Sequence, residues 1–103
     1  MFNIFKKKGE ANFRFNEPKN TACFTCDHVL NNERPILFAF HGSEGEWQFL
    51  CRDNHSEANA KIISLKEATE LDPTINDLFE MPLGVGAQRA TAKDKWTPFK
   101  LQD

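Results

Sequence analysis

The segment from Pro35 to Cys51 constrains the fold more than any other part of the chain. Its first six residues, P-I-L-F-A-F, are apolar on both faces of an extended strand, which is typical of a strand in the interior of a sheet. Gly42 and Gly45 then mark a turn, and apolar alternation resumes at Trp47. The pattern therefore predicts a β-hairpin whose first strand is central.

Further short elements flank this hairpin. We expect strands over Ala22–Phe24 and Lys61–Ser64, because both runs are short and rich in apolar residues. Ser64, followed three residues later by Glu67, is typical of a capping box and predicts a short helix that runs to Leu71. The expected fold is α+β: a small antiparallel sheet built on a central hairpin, with short helices packed on one side.

Three further signals lie outside these elements. Asp72 followed by Pro73 is typical of a helix start, so Thr74–Glu80 is predicted to form one or two helical turns. A capped turn is expected over Asn54–Glu57, directly after the hairpin. Ala87–Thr91 is predicted to be the last strand.

Length and charge indicate a short leader followed by one domain. A chain of 103 residues is long enough for a single core. Residues 1–20 contain five basic and two acidic side chains, a charge of +3, whereas the remainder contains eight basic and thirteen acidic ones, a charge of −5. We therefore predict a basic, Phe-containing leader over residues 1–20 and a single α+β domain over 21–103.

The leader and the cysteine count bear on location and partners. Lys6–Lys8 lie beside several phenylalanines and form either a solvated tail, with Phe13 or Phe15 docking on the body, or an arm for nucleic acid or a membrane surface. We favour the tail, so nucleic acid is not an expected partner. The leader lacks the long apolar run of a signal peptide, and no stretch of the sequence is long enough to span a bilayer. Three cysteines cannot all pair within one chain, and a reducing cytoplasm is the expected location.

Cys23, Cys26, Cys51 and His55 form the sharpest chemical pattern, a C-x-x-C followed at a distance by C-x-x-x-H. Thiolate and imidazole ligands suit zinc, and two such pairs can complete a tetrahedron. Zinc is the expected cofactor if the four side chains converge. The alternative is a set of partly buried thiols without metal. A cysteine nucleophile with a histidine base is a further interpretation, but no local signature selects a pair, and we do not expect an enzyme.

An acidic stretch after the hairpin is the candidate partner-binding surface, because complementary charge steers and orients a basic partner. Its alternative is an ordinary solvated helix face. Arg89 lies between apolar stretches and is expected either to form a buried pair with an acid such as Asp72 or to reach a partner. The acidic residues are Glu67, Glu70, Asp72, Asp77 and Glu80.

The order of these elements resembles a known bacterial family, the polymorphic-toxin immunity domain numbered thirty-three. The resemblance covers roughly residues 21–97 and includes a hairpin tryptophan, an Asp-Pro step and a terminal G-x-x-A-x-R, which match Trp47, Asp72 with Pro73, and the segment that ends with Gly86–Arg89. The segments that carry it are A-C-F-T-C-D-H-V-L, R-P-I-L-F-A-F, G-E-W-Q-F-L-C, I-I-S-L, L-D-P-T-I and P-L-G-V-G-A-Q-R, ending with Trp96.

The resemblance implies a small, non-enzymatic α+β protein that binds and neutralises a cognate protein toxin by covering part of its surface. The family pattern does not require Cys26 or Cys51, so a metal site in this chain would be a local addition. The alternative hypothesis is a small zinc-stabilised adaptor or regulatory domain that binds nucleic acid through its basic leader.

Overall fold

Six strands form one mixed sheet in the computed structural model, which describes residues 13–52 and 59–101. The α+β class predicted from the sequence is confirmed. In chain order the elements are β1 (Ala22–Cys26), α1 (Asp27–Leu30), β2 (Phe38–His41), β3 (Trp47–Leu50), β4 (Ala60–Ser64), α2 (Leu65–Leu71), a 3₁₀ helix (Pro73–Leu78), β5 (Val85–Gln88) and β6 (Thr97–Lys100). Across the sheet the strands follow the order β4-β1-β3-β2-β5-β6.

The predicted hairpin is present as β2 and β3. The two strands are antiparallel, with Phe38 opposite Leu50 and His41 opposite Trp47, and Gly45 adopts a φ of +94° in the turn between them. A positive φ of this kind is easily adopted only by glycine. Strand β2 also pairs with β5, so it lies in the interior of the sheet, as its two apolar faces predict.

Strand β1 pairs with β3 in parallel and with β4 in antiparallel orientation. The sheet was expected to be antiparallel throughout, and the β1–β3 pair makes it mixed instead. The reason is the connection: α1 and residues 31–37 carry the chain past β3 before the hairpin returns it beside β1. Because parallel strands end at the same edge of a sheet, the C-terminal ends of β1 and β3 are neighbours.

The core lies between one face of the sheet and a layer formed by α2, the 3₁₀ helix and residues 13–20. Phe15 is 6 % exposed and packs edge-on against Trp47, with ring centroids 5.0 Å apart. Residues 13–20 belong to the predicted leader, and Phe15 lies in the core cluster with Phe13 packed against it, as expected if the leader docks on the body. The packed body therefore includes these residues, and residues 1–12 of the predicted leader lie outside the described part of the chain.

The helices after β4 begin at the predicted caps. The Ser64 hydroxyl accepts a hydrogen bond from the Glu67 amide, and the Glu67 carboxylate accepts one from the Ser64 amide, which completes the capping box. Asp72 accepts from the Thr74 amide and starts the 3₁₀ helix. The predicted helical turns over Thr74–Glu80 are thus present as 3₁₀ structure.

The C-terminal part differs from the prediction in two respects. The strand expected over Ala87–Thr91 lies over Val85–Gln88, because its ladder with β2 ends at the pair of Phe38 and Gln88. Strand β6, T-P-F-K, was not predicted, since a proline within so short a run argues against a strand except at a sheet edge, and β6 is an edge strand. The turn predicted over Asn54–Glu57 lies outside the described residues.

Candidate metal centre

Three ligand side chains meet where the parallel strands β1 and β3 end. Cys26 is the last residue of β1, Cys51 directly follows β3, and His28 lies in the first turn of α1. The Cys26 and Cys51 Sγ atoms are 3.7 Å apart, and His28 Nδ1 is 3.7 Å from Cys51 Sγ. All three ligand atoms lie within 4.8 Å of one another, close enough to bind one metal ion.

The two separations of 3.7 Å match those expected in a tetrahedral zinc site. Thiolates about 2.3 Å from a tetrahedral zinc ion lie about 3.8 Å from each other, and a thiolate and an imidazole nitrogen lie about 3.6 Å apart. The two observed distances of 3.7 Å therefore require almost no rearrangement. Two sulfurs and one imidazole nitrogen also suit zinc better than magnesium or calcium, which prefer oxygen ligands.

The three side chains differ in their access to solvent. Cys26 is 1 % exposed and Cys51 is 2 % exposed, whereas the His28 side chain is 27 % exposed. An ion held here would thus lie mainly against the end of the sheet and face solvent beside the imidazole. Burial of this kind is typical of a structural site, in which the ligands come from elements that the ion fastens together.

A carboxylate lies next to the histidine. Asp27 Oδ1 is 3.6 Å from His28 Nδ1, and Asn59 Nδ2 donates to both Asp27 carboxylate oxygens at 3.3 and 3.2 Å. The hydrogen bond from Asn59, assisted by the nearby His28, holds the pKa of Asp27 below its ordinary value. An ionised carboxylate beside the imidazole favours a positive ion at this end of the sheet.

Of the four ligands predicted from the sequence, the structure brings Cys26 and Cys51 together. Cys23 is buried in the core, opposite Ile63 of β4, and is not part of the group. Burial, and then the charge of Glu67, raise the pKa of the Cys23 thiol to about 12, so it stays protonated at neutral pH. His55 lies in the segment 53–58, outside the described residues.

Strand geometry explains why Cys23 does not join Cys26. Side chains alternate between the faces of a strand, so two residues three positions apart point to opposite faces. A C-x-x-C motif in a turn can aim both sulfurs at one ion, but this one occupies β1. Sequence reasoning did not select His28, although the spacing C-x-H at a strand end was a usable signal.

The residues expected to be structural have clear packing partners. Arg89 is 4 % exposed, and its Nη2 lies 2.6 Å from Asp72 Oδ2 and donates to the Ile36 carbonyl at 2.9 Å. Its guanidinium also stacks on the Trp96 ring at 4.0 Å. Trp47 is 1 % exposed, and its indole N–H donates to Glu17 at 2.8 Å. Pro73 is the first residue of the 3₁₀ helix, directly after the Asp72 cap.

Comparisons with known proteins do not assign the chain to a family: no family model, curated protein or solved structure matches it. The resemblance to the immunity domain therefore stays a prediction. Within the described ranges 13–52 and 59–101, no helix combines the length and apolar character needed to cross a bilayer.

Proposed function

We propose that this protein is a small zinc-stabilised binding domain, with the ion held by Cys26, His28 and Cys51. The observation that supports zinc is the pair of 3.7 Å distances that join Cys51 Sγ to the other two ligand atoms. The fourth position of the tetrahedron would be taken by water or by a further ligand.

The role of the ion in this proposal is structural. It would join the end of β1, the start of α1 and the end of β3. The two cysteine ligands are 25 residues apart along the chain. Because such a site is not formed in the unfolded chain, the free energy of zinc binding would add to the stability of the folded state.

Metal analysis of matched variants tests this proposal. The protein is purified under reducing conditions from zinc-supplemented cells, and its metal content is measured by mass spectrometry. We expect about one zinc per chain in the wild type and in Cys23→Ala, and a large loss in Cys26→Ser, Cys51→Ser and His28→Asn. Cobalt substitution should give thiolate-to-cobalt charge-transfer absorption in the wild type and in Cys23→Ala, but not in the other three variants. A metal-free wild type after zinc reconstitution would refute the proposal.

A second proposal concerns the biological role: a non-enzymatic, immunity-type protein of the bacterial cytoplasm that neutralises a cognate toxin by covering its surface. The resemblance noted above suggests it, and a surface groove that combines apolar walls with two exposed carboxylates supports a role in protein binding. Toxin neutralisation does not depend on zinc as a reactant, so both proposals can hold for one molecule.

Growth rescue tests the second proposal. A toxin gene from the neighbourhood of this gene is expressed with and without the protein, and the two products are purified together through a tag on the toxin. We expect restored growth and a stable complex. Failure of both rescue and co-purification with every neighbouring toxin candidate would count against this role, whatever the metal content.

A further inference from the structure

A groove of about 470 Å³ lies between the 3₁₀ helix and the strands β5 and β6. From its chemistry we propose that it binds an arginine-bearing segment of a partner protein. This inference names the docking surface of the proposed partner-binding role and rests on that role.

The acidic stretch predicted from the sequence supplies the charged side of this groove. Three of its five carboxylates are engaged within the molecule: Glu67 in the capping box, Glu70 with Lys66 at 2.8 Å, and Asp72 with Arg89 at 2.6 Å. The other two, Asp77 and Glu80, are exposed and make no ion pair or hydrogen bond in the part of the chain that the structure describes. Both line the groove.

The walls of the groove are apolar. Met81, Val85, Trp96 and Pro98 contribute side chains, and Lys95 is the single cation among the lining residues. Two carboxylates against one ammonium give the groove a net negative charge. A ligand with an apolar stem and a cationic head matches both parts of this surface.

Trp96 favours arginine among such ligands. Its ring already stacks with the guanidinium of Arg89 on one side, at 4.0 Å, and its indole N–H donates to the Thr74 carbonyl at 3.4 Å. The indole is therefore held in place by the protein itself. A second guanidinium can lie along a fixed aromatic wall and donate to Asp77 or Glu80 in planar geometry, which an ammonium cannot do.

A peptide titration tests this inference without knowledge of the natural partner. The probe is the blocked peptide acetyl-Leu-Arg-Pro-amide, and the matched control carries citrulline, which keeps the shape of arginine but has no charge. Binding to the ¹⁵N-labelled protein is followed by NMR at low salt. We expect shifts centred on the Trp96 indole and residues 77–85, and binding that is about fivefold weaker or more with citrulline.

Protein variants provide the second arm of the test. The double substitution Asp77→Asn and Glu80→Gln should weaken binding of the arginine peptide by about fivefold or more. The control Glu44→Gln, which neutralises an exposed carboxylate in the hairpin turn, should leave binding unchanged. Absence of binding, equal binding of both peptides, shifts centred elsewhere, or unchanged binding in the double variant would each overturn the inference.

The outcome is separable from that of the proposed function. If a toxin co-purifies and the double variant still neutralises it, the partner-binding role stands and the groove is not its docking surface. If the peptide binds as expected while no zinc is found, only the metal proposal fails.

Discussion

The Cys26 and Cys51 sulfur atoms lie 3.7 Å apart because Cys26 ends β1 and Cys51 directly follows β3, the neighbouring parallel strand. Local sequence does not bring them together, since 25 positions separate them. The strand order places them at one edge, and α1 adds the His28 imidazole to the same edge. The candidate metal centre is therefore a consequence of sheet topology.

Removal of zinc should lower the stability of the fold. We expect a chelator to reduce the free energy of unfolding by about 3–4 kcal/mol relative to protein kept in zinc at about a hundredfold to a thousandfold excess over its dissociation constant. The measurement is urea denaturation followed by tryptophan fluorescence. Cys26→Ser serves as the control, because its stability should not respond to zinc or chelator. Equal stability of the wild type in both conditions would contradict a structural role for the ion.

Cys23 should make the protein less stable at alkaline pH. Burial and the charge of Glu67 raise its pKa from 9.0 to about 12, so the folded state keeps a proton that the unfolded chain releases above pH 9. The contribution of this thiol to the free energy of unfolding is fully present below pH 9 and is lost as the pH rises towards 12. Titration of this thiol lowers the free energy of unfolding by at most about 1.4 kcal/mol per pH unit.

Urea denaturation at pH 8 and pH 10.5 would measure this loss, with Cys23→Ala as the comparison. The alanine variant should lose less stability between the two pH values than the wild type, whatever its stability at pH 8. Parallel losses in the two proteins would show that other groups cause the alkaline effect.

The buried pair of Arg89 and Asp72 should contribute far more than the exposed pair of Lys66 and Glu70. Arg89→Met leaves the largely buried Asp72 carboxylate without its cation and should cost about 3 kcal/mol or more. Glu70→Gln removes an exposed i,i+4 pair at a similar distance and should cost less than about 1 kcal/mol. Chemical denaturation of both variants gives the comparison, and similar costs would refute this ranking.

Gly86 is required because the Phe99 ring and the Ala39 carbonyl oxygen occupy the space of a side chain. A Cβ at this position would lie 2.7 Å from Phe99 Cζ and 3.0 Å from the Ala39 carbonyl oxygen. Gly86→Ala should therefore destabilise the protein by about 1–3 kcal/mol, as expected for overpacking. The double variant with Phe99→Leu should recover only part of this loss, because the backbone oxygen stays in place. A thermal melt that is unchanged in Gly86→Ala would contradict the packing shown here.

Local signals were sufficient to predict part of the fold. The hairpin follows from the alternation on either side of Gly42 and Gly45, and the helix start at Ser64 follows from the residue three positions later. Both depend on residues near one another in sequence. The burial of Arg89 against Asp72 was accessible for a similar reason, since an isolated charge between apolar stretches needs a carboxylate.

The pairing of strands that are distant in sequence could not be predicted from local signals. Nothing near Phe24 indicates that β1 runs parallel to β3, and this pairing decides that Cys51 lies beside Cys26. The metal prediction selected Cys23 because C-x-x-C was interpreted as a turn, whereas strand alternation separates its two sulfurs. His28 was not chosen as a metal ligand, because its proximity to Cys51 depends on how α1 leaves the sheet.

Pro98 has a consequence for the behaviour of the protein in concentrated solution. It lies in β6, at one margin of the sheet, opposite Ala87 of β5. Proline has no amide hydrogen, and it is tolerated in a ladder where its nitrogen faces away from the neighbouring strand. The outward side of β6 is therefore a poor template for the backbone of another molecule, which should discourage growth of fibrils from this margin.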